Sequence, residues 1–278
     1  MMRISFTQVD TFADGAFSGN PAAVMFLDRW LPDAVLQGIA ADNNLSETAF
    51  LVPAADAAAD FDLRWFTPRL EVALCGHATL ASGHVVLEAL PDLPAVRFRT
   101  TRAGVLTVSR HPDGLALDLP AWPATTPVIG ARAAAIAAAL GARPTEIRAR
   151  GSDYLVAVFD LPDDVRSLRP DYGAIMALAP GVDLMLIATA PGEASDVISR
   201  VFVPACGVDE DPVTGSAHAV IAPFWAARFR RAGFTAVQAS ARGGRLGVSL
   251  AGDRVMLSGT ARTVIRGEYD LPDAAIAG

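Results

Sequence analysis

The stretch LCGHAT (74–79) sets a thiol, a glycine and an imidazole in a row, and the small-residue run ATLASG (78–83) follows. Glycine lets a chain turn tightly and the small residues after it suit a helix start, so this reading puts reactive groups at a helix N-terminus. Taken with its upstream flank, RWFTPRLEVALCGHAT (64–79), the stretch has a second copy in RVFVPACGVDEDPVTGSA (200–217). Both copies open Arg-x-Phe-x-Pro (Arg64, Phe66, Pro68; Arg200, Phe202, Pro204), and both reach glycine, a polar residue and alanine (Gly76, His77, Ala78; Gly215, Ser216, Ala217). The offset grows from 136 at the arginines to 139 at the glycines, so the second copy carries three extra residues in the region GVDED.

The echo continues downstream. RAGVLTV (102–108) matches RGGRLGV (242–248), and LALDL (115–119) lies opposite VMLSG (255–259), both at an offset of 140. Alternation of this kind, bounded by HPDG and AGD turns, reads as hairpins with one buried face. The chain is therefore a duplicated unit of strands, a turn, a helix and more strands, in the α/β (α+β) class. A proline-rich seam, AWPATTP (121–127), divides it into domains 1–122 and 123–278, with the last strand free to cross back. A helix follows the seam at ARAAAIAAALG (131–141) and ends on Gly141. Two such domains facing each other form a cleft, a common place for a small ligand.

Composition narrows the function. Hydrophobic residues make up 52% of the 278, which supplies buried cores, and the net charge of −7 argues against a nucleic-acid partner. The sequence has no lysine, so neither a P-loop nor a pyridoxal phosphate Schiff base can be built. No window reaches the roughly 18 apolar residues of a membrane span, and no signal-peptide core follows MMRISFTQVD, so a cytoplasmic location is expected. Two cysteines make no disulfide framework, and the four histidines show no spacing that suggests a metal site. RGGRLG (242–247) reads as a hairpin turn, because GxGxxG is lacking.

Each helix start offers unpaired amides and the positive end of a dipole, and two of them aimed at one ligand suit a small acid whose carboxylate or enolate needs stabilising. In NNLSETAF (43–50), Glu47 precedes the apolar AFLV; it is either a general base with a raised pKa or a solvated strand end. Its place in the second copy falls at about Leu186 in VDLMLIA (182–188), so the acid belongs to one half. In DEDPVTGS (209–216), Asp211 is held extended by Pro212 and can point at a ligand, whereas Asp209 and Glu210 read as ordinary solvated charges. His77 is a proton relay or an unremarkable helix-start histidine. Cys75 is either a thiol acidified by the helix or a buried inert one, and Thr214 takes its place in the second copy.

These motifs together, QVDTFADGAFSGNPAAV (8–24), NNLSETAF, TPRLEVALCGHAT (67–79), EDPVTGSA (210–217) and the later RGG, resemble the phenazine-biosynthesis isomerase family, the PhzF-like proteins. The resemblance runs from about Gln8 to the C-terminal strands. It implies the diaminopimelate-epimerase fold, two pseudo-symmetric domains each a β-roll around a central helix, in a homodimer that uses no cofactor and no metal. It also implies Glu47 as the acid/base, with His77, Asp211 and Ser216 in support and the Gly76 and Gly215 turns on a small carboxylate substrate. Cys75 and Thr214 fall where related two-cysteine racemases keep their thiols. A threonine is far less acidic than a thiol, so the expected reaction is a one-carboxylate isomerisation. The alternatives are a dehydrating lyase, an epimerase of an amino-acid-like substrate, and a non-catalytic small-anion binder.

Overall fold

The computed structural model describes residues 1–275 and resolves two compact units, Met1–Asp118 joined by Ser258–Gly278, and Leu119–Leu257. In the first unit the order is β1 (Met2–Thr11), β2 (Asn20–Phe26), α1 (Asp33–Asn43), β3 (Glu47–Pro53), β4 (Phe61–Phe66), β5 (Glu71–Val72), α2 (Gly76–Ala89), β6 (Ala95–Thr100), β7 (Val105–His111) and β8 (Gly114–Pro120). The second runs β9 (Thr126–Pro127), α3 (Gly130–Leu140), β10 (Glu146–Arg150), β11 (Tyr154–Val158), α4 (Pro162–Arg166), α5 (Tyr172–Ala177), β12 (Met185–Pro191), β13 (Val197–Val203), β14 (Val208–Asp211), α6 (Gly215–Phe229), β15 (Gly233–Gln238), β16 (Gly244–Ala251) and β17 (Arg254–Gly259). Strand β18 (Ala261–Leu271) then pairs antiparallel with β1.

Strand pairing repeats the duplication. In the first unit β1 pairs antiparallel with β2, β2 parallel with β3, β3 antiparallel with β4, β4 parallel with β6, and β6 antiparallel with β7. The second unit makes the same five pairings in the same order with β10, β11, β12, β13, β15 and β16. A parallel pair needs a crossover connection, and here that crossover is the helix after the glycine: α2 between β4 and β6, α6 between β13 and β15.

Both crossover helices are buried along their first two turns, 76–83 and 215–222, with no polar face left for water. Alanine, glycine and serine allow strands to approach from several sides, and α2 packs on β1, β2, β3, β6, β7 and β18. Each helix begins alike. Cys75 and Thr214 are extended N-cap residues that give no side-chain cap bond, and the residue one turn on bonds back to their carbonyls. Thr79 Oγ1 donates to Cys75 O at 2.6 Å, and His218 Nδ1 donates to Thr214 O at 2.7 Å. In α6, Pro223 has no N–H for the carbonyl of Ala219; the amide of Trp122 donates to that carbonyl at 3.1 Å instead. The helix after the seam closes on Gly141 in the left-handed region, and RGG makes the turn between β15 and β16 with Gly243 at φ 66°.

The Arg-x-Phe repeat has a physical explanation. On β4, Arg64 stacks over Phe66 at 5.1 Å and forks onto Glu71 with bonds of 2.8 and 2.7 Å. On β13, Arg200 stacks over Phe202 at 5.1 Å and forks onto Glu210 with bonds of 2.7 and 2.8 Å. The sequence reading of Glu210 as a solvated charge is thereby corrected: it is the counterpart of Glu71, and only Asp209 is exposed. The three extra residues of the second copy fall before Glu210, where a single 3-10 turn, Pro204–Cys206, widens the β13–β14 connection.

Two glycines test how tightly α2 is enclosed. A Cβ on Gly83 would lie 2.4 Å from Val108 Cγ1 and 2.6 Å from its Cβ, whereas one on Gly38, on the exposed face of α1, would meet nothing within 4 Å. Overpacking of about 1–3 kcal/mol outweighs the 0.5–1 kcal/mol that alanine gains in a helix. Urea denaturation should therefore show Gly83→Ala less stable than the parent and Gly38→Ala more stable.

His218 supplies a pH test. Burial, opposed by its bond to Thr214 O, pushes its pKa down from 6.5 to about 4. A base depressed in the fold contributes stability that is present above its unfolded pKa and is lost as pH falls through 6.5 towards 4. Over that window the parent should lose about 3 kcal/mol more than His218→Asn. Parallel curves from urea denaturation across pH 7 to 4 would contradict this.

Candidate active site

The NNLSET segment delivers the first carboxylate. Asn44, at φ 47° and ψ 37°, ends α1 in the left-handed conformation that asparagine tolerates, and the chain enters β3 at Glu47 three residues later. Parallel pairing sets Glu47 beside Ala22 of β2 and next to the start of α2. Asn43 donates to Thr48 Oγ1 at 3.0 Å, which ties the helix end to the strand.

There the structure brings three predicted residues together. His77 Nε2 stands 3.0 Å from Glu47 Oε2, and His77 Nδ1 stands 3.5 Å from Cys75 Sγ. The Glu47–His77 contact is at ion-pair distance but is not aligned as a hydrogen bond. His77 is 3% exposed. Burial opposes its charge, but the Glu47 carboxylate and the hydrogen bond with the Cys75 sulfur outweigh it and hold its pKa well above the ordinary value. Of the two readings of Cys75, its depth favours the buried thiol. Burial first, and then the Glu47 charge, push its pKa up to about 11, more than the neighbouring imidazole and helix start can offset, so it is a neutral thiol at pH 7.

Sequence reasoning passed over Asn20, although its motif was in view. Asn20 opens β2, is fully buried, and holds its amide nitrogen 3.1 Å from His77 Nδ1. The preceding Gly19 is required there: its φ is 81°, and a Cβ would lie 2.4 Å from Thr11 O.

The second unit carries Asp211, Thr214, Gly215 and Ser216. Asp211 ends β14, extended as Pro212 demands, and Thr214 Oγ1 donates to its Oδ2 in a short hydrogen bond. Gln238, fully buried at the end of β15, was missed. It accepts from Thr214 N at 2.8 Å and donates to Asp211 O at 2.7 Å and to Thr214 Oγ1 at 3.1 Å. Thr214 N–H is thus spoken for, and the amides left at this helix start are those of Gly215, Ser216 and Ala217.

Strand register corrects the expected counterpart of Glu47. Thr48 lies opposite Phe66, and Leu186 lies opposite Phe202, so Thr48 corresponds to Leu186 and Glu47 to Met185. The sulfur of Met185 lies 4.0 Å from Ser216 Oγ, where the first unit has Glu47 against His77. The acid still belongs to one half.

For a metal, Glu47, Cys75 and His77 each offer one donor atom, all within 4.8 Å of one another, the one such group of three among the described residues. His84 and His111 each have one carboxylate within 4 Å, from Glu88 and Asp113.

Comparisons with known proteins agree with this architecture. An uncharacterized isomerase of Pseudomonas aeruginosa is 45% identical over 272 residues, 97% of this chain and 100% of that protein. A PhzF-family phenazine biosynthesis protein of Enterococcus faecalis superposes with a TM-score of 0.84 at 39% identity, covering 97% of this chain and 100% of the other. A hydroxyproline epimerase of Agrobacterium vitis, 14% identical, matches with a TM-score of 0.65 over 99% and 94% of the two chains and shows the fold alone, the diaminopimelate-epimerase-like one. The family model for phenazine biosynthesis-like proteins, PhzC-PhzF, matches residues 9–267, and the chain belongs to that family.

Proposed function

We propose that the protein is an isomerase that needs no cofactor and moves a proton at an activated carbon of a small carboxylic acid, with Glu47 as acid and base. One observation carries the reading: Glu47 meets His77 at 3.0 Å at the start of α2, while the matching place in the second unit holds Met185 and Ser216, which cannot exchange protons at neutral pH. A two-base racemase needs a titrating group on each side of the carbon. Thr214 is no such group, and Cys75 is held as a thiol.

In this reading the Glu47 carboxylate removes a proton from a carbon allylic to a C=C bond of the substrate and becomes the acid, and the electron pair left behind spreads through that double bond into the substrate carboxylate as a dienolate. Helix-start amides at Gly76 and Gly215 meet the developing negative charge, without which the enolate would be too costly to form. His77 steadies Glu47, and Asp211 with Ser216 bonds polar groups of the substrate. Glu47 then returns its proton to a second carbon on the same face, so no water is consumed. The isomerase name of the P. aeruginosa relative supports the reaction class.

The experiment is to incubate the protein in D2O with small carboxylic acids that carry an activated C–H and to follow each by proton NMR. A substrate should gain deuterium at two carbons, and Glu47→Gln should lower that rate by roughly 10²–10⁴-fold. Full exchange by Glu47→Gln overturns the reading. Loss of water makes the protein a lyase, exchange at one carbon with inversion makes it an epimerase, and tight binding without exchange makes it an anion binder.

A further inference from the structure

We propose that Glu47, Cys75 and His77 form a binding site for one thiophilic divalent cation of the zinc type. A thiolate, an imidazole nitrogen and a carboxylate oxygen are the donors that zinc and cobalt(II) take, and three protein ligands leave a fourth position open. With bonds of about 2.0–2.3 Å, tetrahedral coordination puts donor atoms about 3.3–3.6 Å apart. Here Cys75 Sγ is 3.5 Å from Nδ1 of the ring, Glu47 Oε2 is 3.0 Å from Nε2, and the set spans no more than 4.8 Å. One ring nitrogen serves one metal, so binding brings Glu47 and Cys75, which face opposite ring nitrogens, to the same one.

Cys75 and His77 are within hydrogen-bond reach and Glu47 and His77 are at ion-pair distance, and a metal replaces both contacts. Binding displaces the Cys75 thiol proton and the proton of the coordinating His77 nitrogen to solvent, so affinity rises with pH. The thiolate and carboxylate together carry two negative charges, which a divalent ion neutralises in a site where neither charge is well hydrated; Cys75 is 5% exposed. The duplication fixes the stoichiometry. Where the first unit has Cys75, His77 and Glu47, the second has Thr214, Ser216 and Met185, none of them a good zinc ligand, so one ion binds per chain. That the ion then silences the enzyme rests on the reading of Glu47 as the base.

The test uses the reduced full chain without a tag, titrated with Co2+ and then Zn2+. One Co2+ per chain should bind with a near-ultraviolet thiolate-to-cobalt charge-transfer band, which Zn2+ erases. Removing even an outer-shell partner of a metal weakens binding ten- to hundred-fold, so Cys75→Ser and Glu47→Gln should each weaken Zn2+ binding at least ten-fold. Cys75→Ser should also abolish the band, and Cys206→Ser should leave band and affinity unchanged. Absence of the band, its persistence in Cys75→Ser, or its loss in Cys206→Ser overturns the site. If Cys75→Ser fails to fold, anomalous scattering at the zinc edge from parent crystals decides it: a peak bonded to Cys75 Sγ supports the site and a peak elsewhere overturns it. The band needs no turnover, so an active Glu47→Gln enzyme would sink the proposed reaction and leave the metal site standing.

Discussion

A helix that is apolar on every side must be enclosed, and when strands enclose it the peptide groups at its start become the polar atoms that need an answer. Each unit of this protein is arranged around that constraint. The parallel pairings of β4 with β6 and of β13 with β15 force a crossover, and the crossover is the enclosed helix. An arginine forked onto a glutamate and stacked on a phenylalanine clamps the strand pair just before the turn in both halves. Bidentate pairing of this kind fixes direction as well as distance, which suits a strand that must deliver a helix start reproducibly.

On two nearly equal backbones the side chains diverge. One helix start has a carboxylate, an imidazole and a thiol in contact, and the other has a thioether and two hydroxyls, with its aspartate tied to Thr214 and Gln238. The shared backbone presents helix-start amides in each unit, whereas the contacting carboxylate, imidazole and thiol are confined to one. Divergence of this sort after duplication lets a binding geometry persist while the chemistry becomes directional.

Much of this was legible because the repeat leaves its mark on residues with narrow roles. Glycine at the turn, small residues in the enclosed helix and alternation in the hairpins each follow from local rules, and they placed α2, α6 and α3 correctly. The clamp was half visible: Arg-x-Phe stood out, but Glu210 was lost among Asp209 and Asp211 because the longer β13–β14 turn shifts the count. Counting back from the glycines, Glu71 and Glu210 share the offset of 139, and that was the available signal. Met185 was missed by one residue because hydrogen-bond register, with its period of two, decides which side chain faces the helix start. Gln238 left no local pattern, since its partners are 24 and 27 residues away. For Cys75 two readings stayed open, because dipole arguments see the helix end and not the depth at which it lies.

The bond from Trp122 N–H to the carbonyl stranded by Pro223 bears on how the second half can be made in isolation. The proline-rich stretch at 121–127 invites a cut, yet a fragment that starts at Pro123 would leave the Ala219 oxygen inside α6 bare. Ala121 is also bonded to Asp253 O by its own amide. A fragment library for this protein should therefore begin its second piece upstream of Ala121, so that the tether to the helix travels with the half it completes.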